Sequence, residues 1–271
     1  LLSDSLSGYT IGADVVIEGN RPGVMERLGL GPKECAARNP KLVYARMTGW
    51  GQDGPLAHVA GHDLNYVALS GLLSLSARPN SAPVVPPTVV GDASGALGLA
   101  FATVSALLHA RATGVGQVVD AAIVDVLAML SPLVQKVRAR GQIDAGGPGL
   151  FYESPFYDAF ECADGRYVSV CPIEPQFYRI LLEKLGCDDL DASEQFDTAA
   201  WAAIRERFAA IFKTRTMKEW ESVFGDCDAC FAPVLTLAEA AQHPHNVHRG
   251  LYRTNGRGEI ESVRGIRIMP L

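Results

Sequence analysis

The sequence lacks any uninterrupted apolar run approaching the ~18 residues of a membrane-spanning helix, although 48% of its residues are apolar. A 271-residue chain of that composition, with 20% charged residues, has ample material for a core in one large domain or two smaller ones. It reads as a soluble globular protein with no membrane partner. An excess of basic residues is also missing. The formal net charge is −6, which argues against nucleic acid as a partner and leaves room for a small anion held by a few local arginines.

Cysteine is sparse. Six are spread thinly over the chain, and without a recognisable signal peptide this fits a reducing, cytoplasmic setting better than a disulfide framework. Only Cys227-Asp228-Ala229-Cys230 has motif spacing. The second ligand pair of a zinc site is missing, as is the strand-to-helix junction of a thioredoxin-like site, so the cysteines read as incidental buried thiols. The tract His243-Pro244-His245-Asn246-Val247-His248 has no adjoining carboxylate or cysteine. Pro244 breaks the helix that would align its histidines, so it reads as a loop–helix junction and no metal site is expected.

What is present is an alternation of strands and glycine-rich loops. Ala13 to Glu18 reads as a buried parallel strand, followed by the loop Gly19-Asn20-Arg21-Pro22-Gly23. Short helices are expected over 24–30 and from Pro32 to Arg38. Leu42 to Met47 forms a second strand, with Thr48-Gly49-Trp50-Gly51-Gln52-Asp53-Gly54-Pro55 as its loop. This is the pattern of βαβ units in a parallel sheet, whose carboxyl edge is where ligands bind. Arg21 and Arg27 are therefore candidate phosphate contacts or solvated arginines.

The stretch Gly61 to Gly98 organises the rest. It opens with Gly61-His62-Asp63-Leu64-Asn65-Tyr66, crosses Pro83, Pro86 and Pro87, and closes with Gly91-Asp92-Ala93-Ser94-Gly95. His62 and Asp92 each stand beside glycine at an expected helix start, uncrowded and near backbone N–H groups, an arrangement that suggests proton chemistry. Asp92 reads as an N-cap or as a reactive carboxylate. The helix from Asp92 to about Ala112 carries apolar residues at 97, 101, 104, 107 and 108 on one face. A strand over 117–122 and an apolar helix to about Arg140 follow. Gly114 and Gly116 lack the third glycine of a dinucleotide fingerprint.

A glycine-rich linker over 141–149 divides a large α/β domain, 1–140, from a smaller α+β domain, 150–271. The second opens with a hairpin turning at Ala163-Asp164-Gly165, then helices near 175–185, 199–212 and 216–224. Glu174 lies just outside the first of these, with Pro175 at the first helical position; its plain reading is a cap or a solvated acid.

These motifs, in this order, resemble the family III CoA-transferases: Glu18-Gly19-Asn20-Arg21-Pro22-Gly23, Thr48 to Pro55, Gly61-His62-Asp63, Gly91-Asp92, Gly116-Gln117-Val118-Val119-Asp120 and Ile173-Glu174-Pro175-Gln176-Phe177-Tyr178. Within the family the resemblance is strongest to the α-methylacyl-CoA racemases. It implies a partial Rossmann-like parallel-sheet domain plus a small α+β domain, in an intertwined homodimer, and a substrate of the 2-methylacyl-CoA class. No cofactor is implied, since CoA enters with the substrate. His62 and Asp92 become the two acid/base groups that invert carbon 2, with Glu174 orienting His62 and with N–H groups beside Asp92 stabilising the enolate. CoA contacts fall on Gly19, Asn20, Arg21 and Arg27, and on Gly61, Asp63, Leu64, Asn65 and Tyr66. Two alternatives remain: a CoA-transferase in which Asp92 is the acyl-accepting nucleophile, and an inactive remnant. The family's first strand–helix units and its C-terminal return segment find no match here, so the chain reads as truncated at both ends.

Overall fold

The computed structural model describes residues 12–78, 81–140, 149–263, 265–266 and 268–269. These fall into two units that divide between Gly141 and Gln142; the expected linker lies, but for Gly149, outside the described residues.

The first unit is built on a three-stranded sheet, β1 (Val15–Glu18), β2 (Val43–Thr48) and β3 (Val118–Ala122), in that order. Both pairings are parallel, with Val15 opposite Val43 and Tyr44 opposite Val118. Val43, Tyr44 and Ala45 of the central strand are fully buried, as a parallel strand covered on both faces requires. The expectation of a fully buried first strand is corrected. β1 stands at the edge of the described sheet, and Ile17 is 64% exposed.

Helices α1 (Val24–Arg27) and α2 (Pro32–Arg38) connect β1 to β2. Pro32 occupies the first turn of α2, where its missing N–H costs nothing. Beyond β2 come α3 (Asp63–Leu69), a 3-10 turn over Leu72–Ser76, the proline crossing, and α4 (Asp92–Thr113). Gly114 ends α4 in the left-handed conformation, φ 77°, which glycine adopts without penalty. Gly116 then passes so close to the Leu42 backbone that no side chain fits there.

Of the expected apolar stripe of α4, only Leu107 packs against the sheet, beside Val15, Val43 and Val119. The buried residues of α4 are Gly95, Leu99, Thr103, Ala106 and Ala110, whereas Leu97, Phe101, Val104 and Leu108 are exposed. The cause is close approach. A Cβ at Gly95 would meet Ile123 at 2.8 Å, and one at Gly98 would meet Val126 at 2.6 Å, so the helix seats its small residues where backbones come nearest. By length and composition alone α4 is apolar enough to cross a membrane, with a mean hydropathy of 1.5. The apolar helix expected after β3 is two helices, α5 (Ile123–Leu130) and α6 (Pro132–Ala139), because Pro132 cannot donate to the turn before it.

The second unit starts with α7 (Leu150–Glu153) and an antiparallel sheet of β4 (Asp158–Glu161), β5 (Tyr167–Val170) and β6 (Phe231–Pro233). Helices α8 (Pro175–Leu185), α9 (Trp201–Phe212) and α10 (Met217–Phe224) follow the expected ranges to within two residues. Their core is aromatic: Phe156, Phe160, Phe208, Phe212, Trp220 and Phe224 are buried together. A short helix, α11 (Leu237–Gln242), and a hairpin of β7 (Tyr252–Thr254) with β8 (Ile260–Ser262) were not anticipated, whereas α12 (Pro244–Arg249) is the helix of the expected loop–helix junction. The histidine tract lies at the junction before α12 and in its turns, and no group of metal-ligating side chains occurs among the described residues.

Candidate active site

His62 is the N-cap of α3 and Asp92 is the first residue of α4, after the N-cap Gly91. Asp92 therefore does not cap its helix; it stands in the first turn, where a carboxylate suits the helix dipole. Both residues line one cavity of about 360 Å³ with Asp63, Leu64, Val85, Pro87 and Thr88. His62 also lines a second cavity, of about 300 Å³, whose wall includes Gly19, Asn20, Arg21, Trp50, Gly61 and Tyr66. The loop after β1 and the His62–Asp92 pair thus open on two cavities that share His62.

A single carboxylate joins the two helix starts. Asp63 is 5% exposed, and its Oδ2 accepts the backbone N–H groups of Gly91 and Asp92, each at 2.8 Å. A Cβ at position 91 would lie 2.7 Å from that oxygen, so glycine is needed for the approach. Since Asp63 follows His62 directly, one side chain ties the backbone beside His62 to that of Asp92. This narrows the expected enolate donors beside Asp92. The N–H groups of Gly91 and Asp92 are held by Asp63, and that of Ala93 donates to the Thr88 carbonyl at 3.2 Å.

The rest of the 61–66 segment is equally committed. Asn65 Oδ1 accepts the His62 N–H at 3.1 Å. The Tyr66 hydroxyl donates to the Gly61 carbonyl, and its ring packs edge-on against Trp50 at 4.7 Å. That ring leaves no room for a side chain at Gly49 or Gly61. Burial, and after it the charge of Asp92, pushes the Tyr66 phenol up. Leu64 is exposed into solvent.

The β1–α1 loop is held by an ion network centred on the buried Arg46. Arg46 on β2 is 6% exposed; its Nε donates to Glu18 Oε1 at 2.7 Å and its Nη1 to Glu26 Oε1 at 2.8 Å. The other Glu18 oxygen accepts the Asn20 N–H at 2.7 Å. The hydrogen bond from Arg46 holds the Glu26 carboxyl below its ordinary range. Only the Arg46–Glu18 pair is buried at both partners, and breaking such a pair from one side costs ~3–5 kcal/mol; Glu26, at the other end of the loop carrying Arg21, is exposed. Arg21 and Arg27 are exposed. Arg27 folds back over Gly23, placing its Nη1 3.3 Å from where a Cβ would stand.

Sequence reasoning missed this network, the inward role of Asp63, and Trp50. The Trp50 indole N–H is buried in the wall of the smaller cavity and has no partner among the described residues. Its flanking glycines were the one available signal. Glu174, the third residue of the expected set, belongs to the second unit. It is the exposed N-cap of α8 and makes no side-chain cap bond.

Residues 11–270 match the family model of CoA-transferase family III. The chain belongs to CoA-transferase family III. This family III chain is 41% identical over 247 residues to alpha-methylacyl-CoA racemase of Mus musculus, a match covering 90% of the chain and 65% of that protein. The Homo sapiens racemase is 38% identical over 258 residues, covering 92% and 66%. Transferases match as well: acetyl-CoA:oxalate CoA-transferase of Acetobacter aceti is 31% identical, covering 90% of the chain and 64% of that protein. Among solved structures, Rv3272 from M. tuberculosis superposes with a TM-score of 0.78 at 27% identity, covering 99% of this chain and 72% of that one. The chain spans just under two thirds of the length of the racemases it matches.

Proposed function

We propose that this protein interconverts (R)- and (S)-2-methylacyl-CoA thioesters by proton transfer through an enolate. The observation that carries the proposal is that His62 and Asp92 line one cavity and are tied together through Asp63. Inversion at carbon 2 requires a base on one face of that carbon and an acid on the other. One of the pair removes the proton while the other returns one, and the roles exchange with direction. The likeness to racemases at about 40% identity supports this chemistry over simple acyl transfer.

CoA would enter through the neighbouring cavity, where Arg21 offers a fork of donors to phosphate and the glycine-lined wall admits the pantetheine arm. Arg27 is a further phosphate candidate beside it. No separate cofactor is needed in this scheme. Glu174 completes the catalytic set that the resemblance implies, and Glu174→Gln is expected to slow turnover without abolishing it. A homodimer is part of the proposal; the exposed stripe Leu97, Phe101, Val104 and Leu108 supports it, and a sedimentation mass near twice 29.0 kDa is expected.

The test is deuterium uptake at carbon 2 of each epimer of a 2-methylacyl-CoA in D2O, read by mass spectrometry, with His62→Ala and Asp92→Ala beside the parent. Uptake from both epimers that is lost in both variants is the expected result. Loss in Asp92→Ala alone, accompanied by transfer of CoA to a free carboxylate, would establish the transferase reading instead. No uptake and no transfer in a cooperatively folded sample would leave an inactive remnant.

A further inference from the structure

The Cys-x-x-Cys spacing at 227–230 directs attention to the wrong pair. Cys227 donates its N–H to the Phe224 carbonyl at 3.1 Å and packs against the aromatic core of the second unit. Cys230 instead faces a cysteine from another strand. In the antiparallel ladder Val168 pairs with Pro233, Ser169 with Ala232 and Val170 with Phe231. Just beyond the last pair the Cys171 N–H donates to the Cys230 carbonyl at 3.0 Å, where Cys230 turns the chain into β6 in the left-handed conformation, φ 50°. The Cys171 thiol leans the same way, with its Sγ 3.6 Å from that carbonyl oxygen.

We propose that Cys171 and Cys230 are a thiol–disulfide site, closed by exchange with a low-molecular-weight disulfide. The single hydrogen bond between their backbones, and the Cys171 thiol that reaches over the same carbonyl, hold the two residues side by side with their thiols in contact, the proximity a disulfide requires. The two cysteines differ in access: Cys171 is exposed and Cys230 half-buried, while Cys35, Cys162 and Cys187 are buried. Its greater exposure makes Cys171 the entry thiol and Cys230 the resolving one; burial, then the neighbouring Cys171 and Glu174, push the Cys230 thiol up.

The steps balance without any further reagent. The Cys171 thiolate attacks one sulfur of the small disulfide, forming a mixed disulfide and expelling one thiolate, which takes a proton. Cys230 then gives its proton to solvent and attacks the Cys171 sulfur, expelling the second small thiol. Two protein thiols are oxidised to one disulfide, and the small disulfide is reduced to two thiols. Because the bond would lie at an exposed strand end, it belongs to the readily reversed class. The crosslink would sit three residues before Glu174, so any effect on turnover rests on the function proposed above, whereas the bond itself does not.

The experiment uses the folded full chain equilibrated with glutathione disulfide and glutathione, quenched in acid, alkylated and mapped by mass spectrometry. The expected product is one peptide pair joined through Cys171 and Cys230, two hydrogen masses lighter than its parts and restored by excess glutathione. Cys227→Ser should still form it, and Cys230→Ser should stop at a glutathione adduct on Cys171. A Cys227–Cys230 link, a glutathione adduct on Cys171 of the unsubstituted chain with no internal bond, or no reaction at Cys171 while the chain stays folded would each overturn the assignment. These readouts need no racemase activity, so failure of the functional proposal and failure of this one are distinguishable.

Discussion

Asp63 gives the sharpest handle on the site, because a CoA-binding role and an internal positioning role predict opposite kinetics. Its Oδ2 accepts two backbone N–H groups at 2.8 Å each, from a residue that is 5% exposed. A hydrogen bond to a charged group contributes ~1.5–3 kcal/mol. Two such bonds bound the loss in Asp63→Ala at roughly 3–6 kcal/mol by the same measure, and water reaching the half-buried Asp92 side places it at the low end, about 3 kcal/mol. Asp63→Asn keeps an acceptor of the same shape but loses the charge, which roughly halves each bond. Its cost should be about 1.5 kcal/mol. Urea unfolding measures both.

Activity should follow the same order. Misplacing a reacting group by about 1 Å costs on the order of 100-fold, and without the Asp63 carboxylate the two hydrogen bonds that tie the start of α4 to that of α3 are gone. Deuterium uptake catalysed by Asp63→Ala is expected to fall about 100-fold in kcat with KM little changed, and Asp63→Asn should recover most of that loss. A raised KM at unchanged kcat would make the carboxylate a substrate contact and refute the positioning argument. Equal effects of alanine and asparagine would refute the hydrogen-bond account.

Two further predictions rest on other groups. Trp50→Phe removes a buried donor without a partner, so stability should hold, while a lost bond to the pantetheine arm, about 1 kcal/mol, should raise KM roughly fivefold; an unchanged KM would exclude that contact. The Arg166 guanidinium and the cap bonds to Thr236 draw the Glu239 carboxyl down from 4.5 to about 2. Because the folded value lies below the unfolded one, this contribution is full above about pH 4.5 and fades as pH falls toward 2. Glu239→Gln should therefore flatten the acid limb of the melting-temperature profile over that window, and a parallel profile would show that the pair contributes nothing.

Much of the local structure could be read from residue pattern. The strand at 43–48, the helix beginning at Pro32, the start of α4 at Asp92 and the Asp-Gly hairpin all follow from short-range rules of propensity, capping and turn chemistry. The reading failed where packing overrode pattern. The stripe at 97, 101, 104, 107 and 108 has helical period, yet all of it but Leu107 faces outward, because Gly95 and Gly98 let α4 approach Ile123 and Val126 more closely than leucine could. It failed too for the cysteines: Cys171 is exposed, and Cys227 and Cys230 are only half-buried.

The sequence by itself determined the parallel βαβ order, the placement of His62 and Asp92 at helix starts, and the ordered motifs that mark CoA-transferase family III, since each depends on neighbours within a few residues. Only the tertiary structure decided what those groups touch. Asp63 reaches across 28 residues to Gly91, Arg46 across 28 to Glu18, and Cys171 across 59 to Cys230. Such contacts are set by sheet register and by how closely backbones pack, and those are properties of the folded chain, invisible to any local window of its sequence.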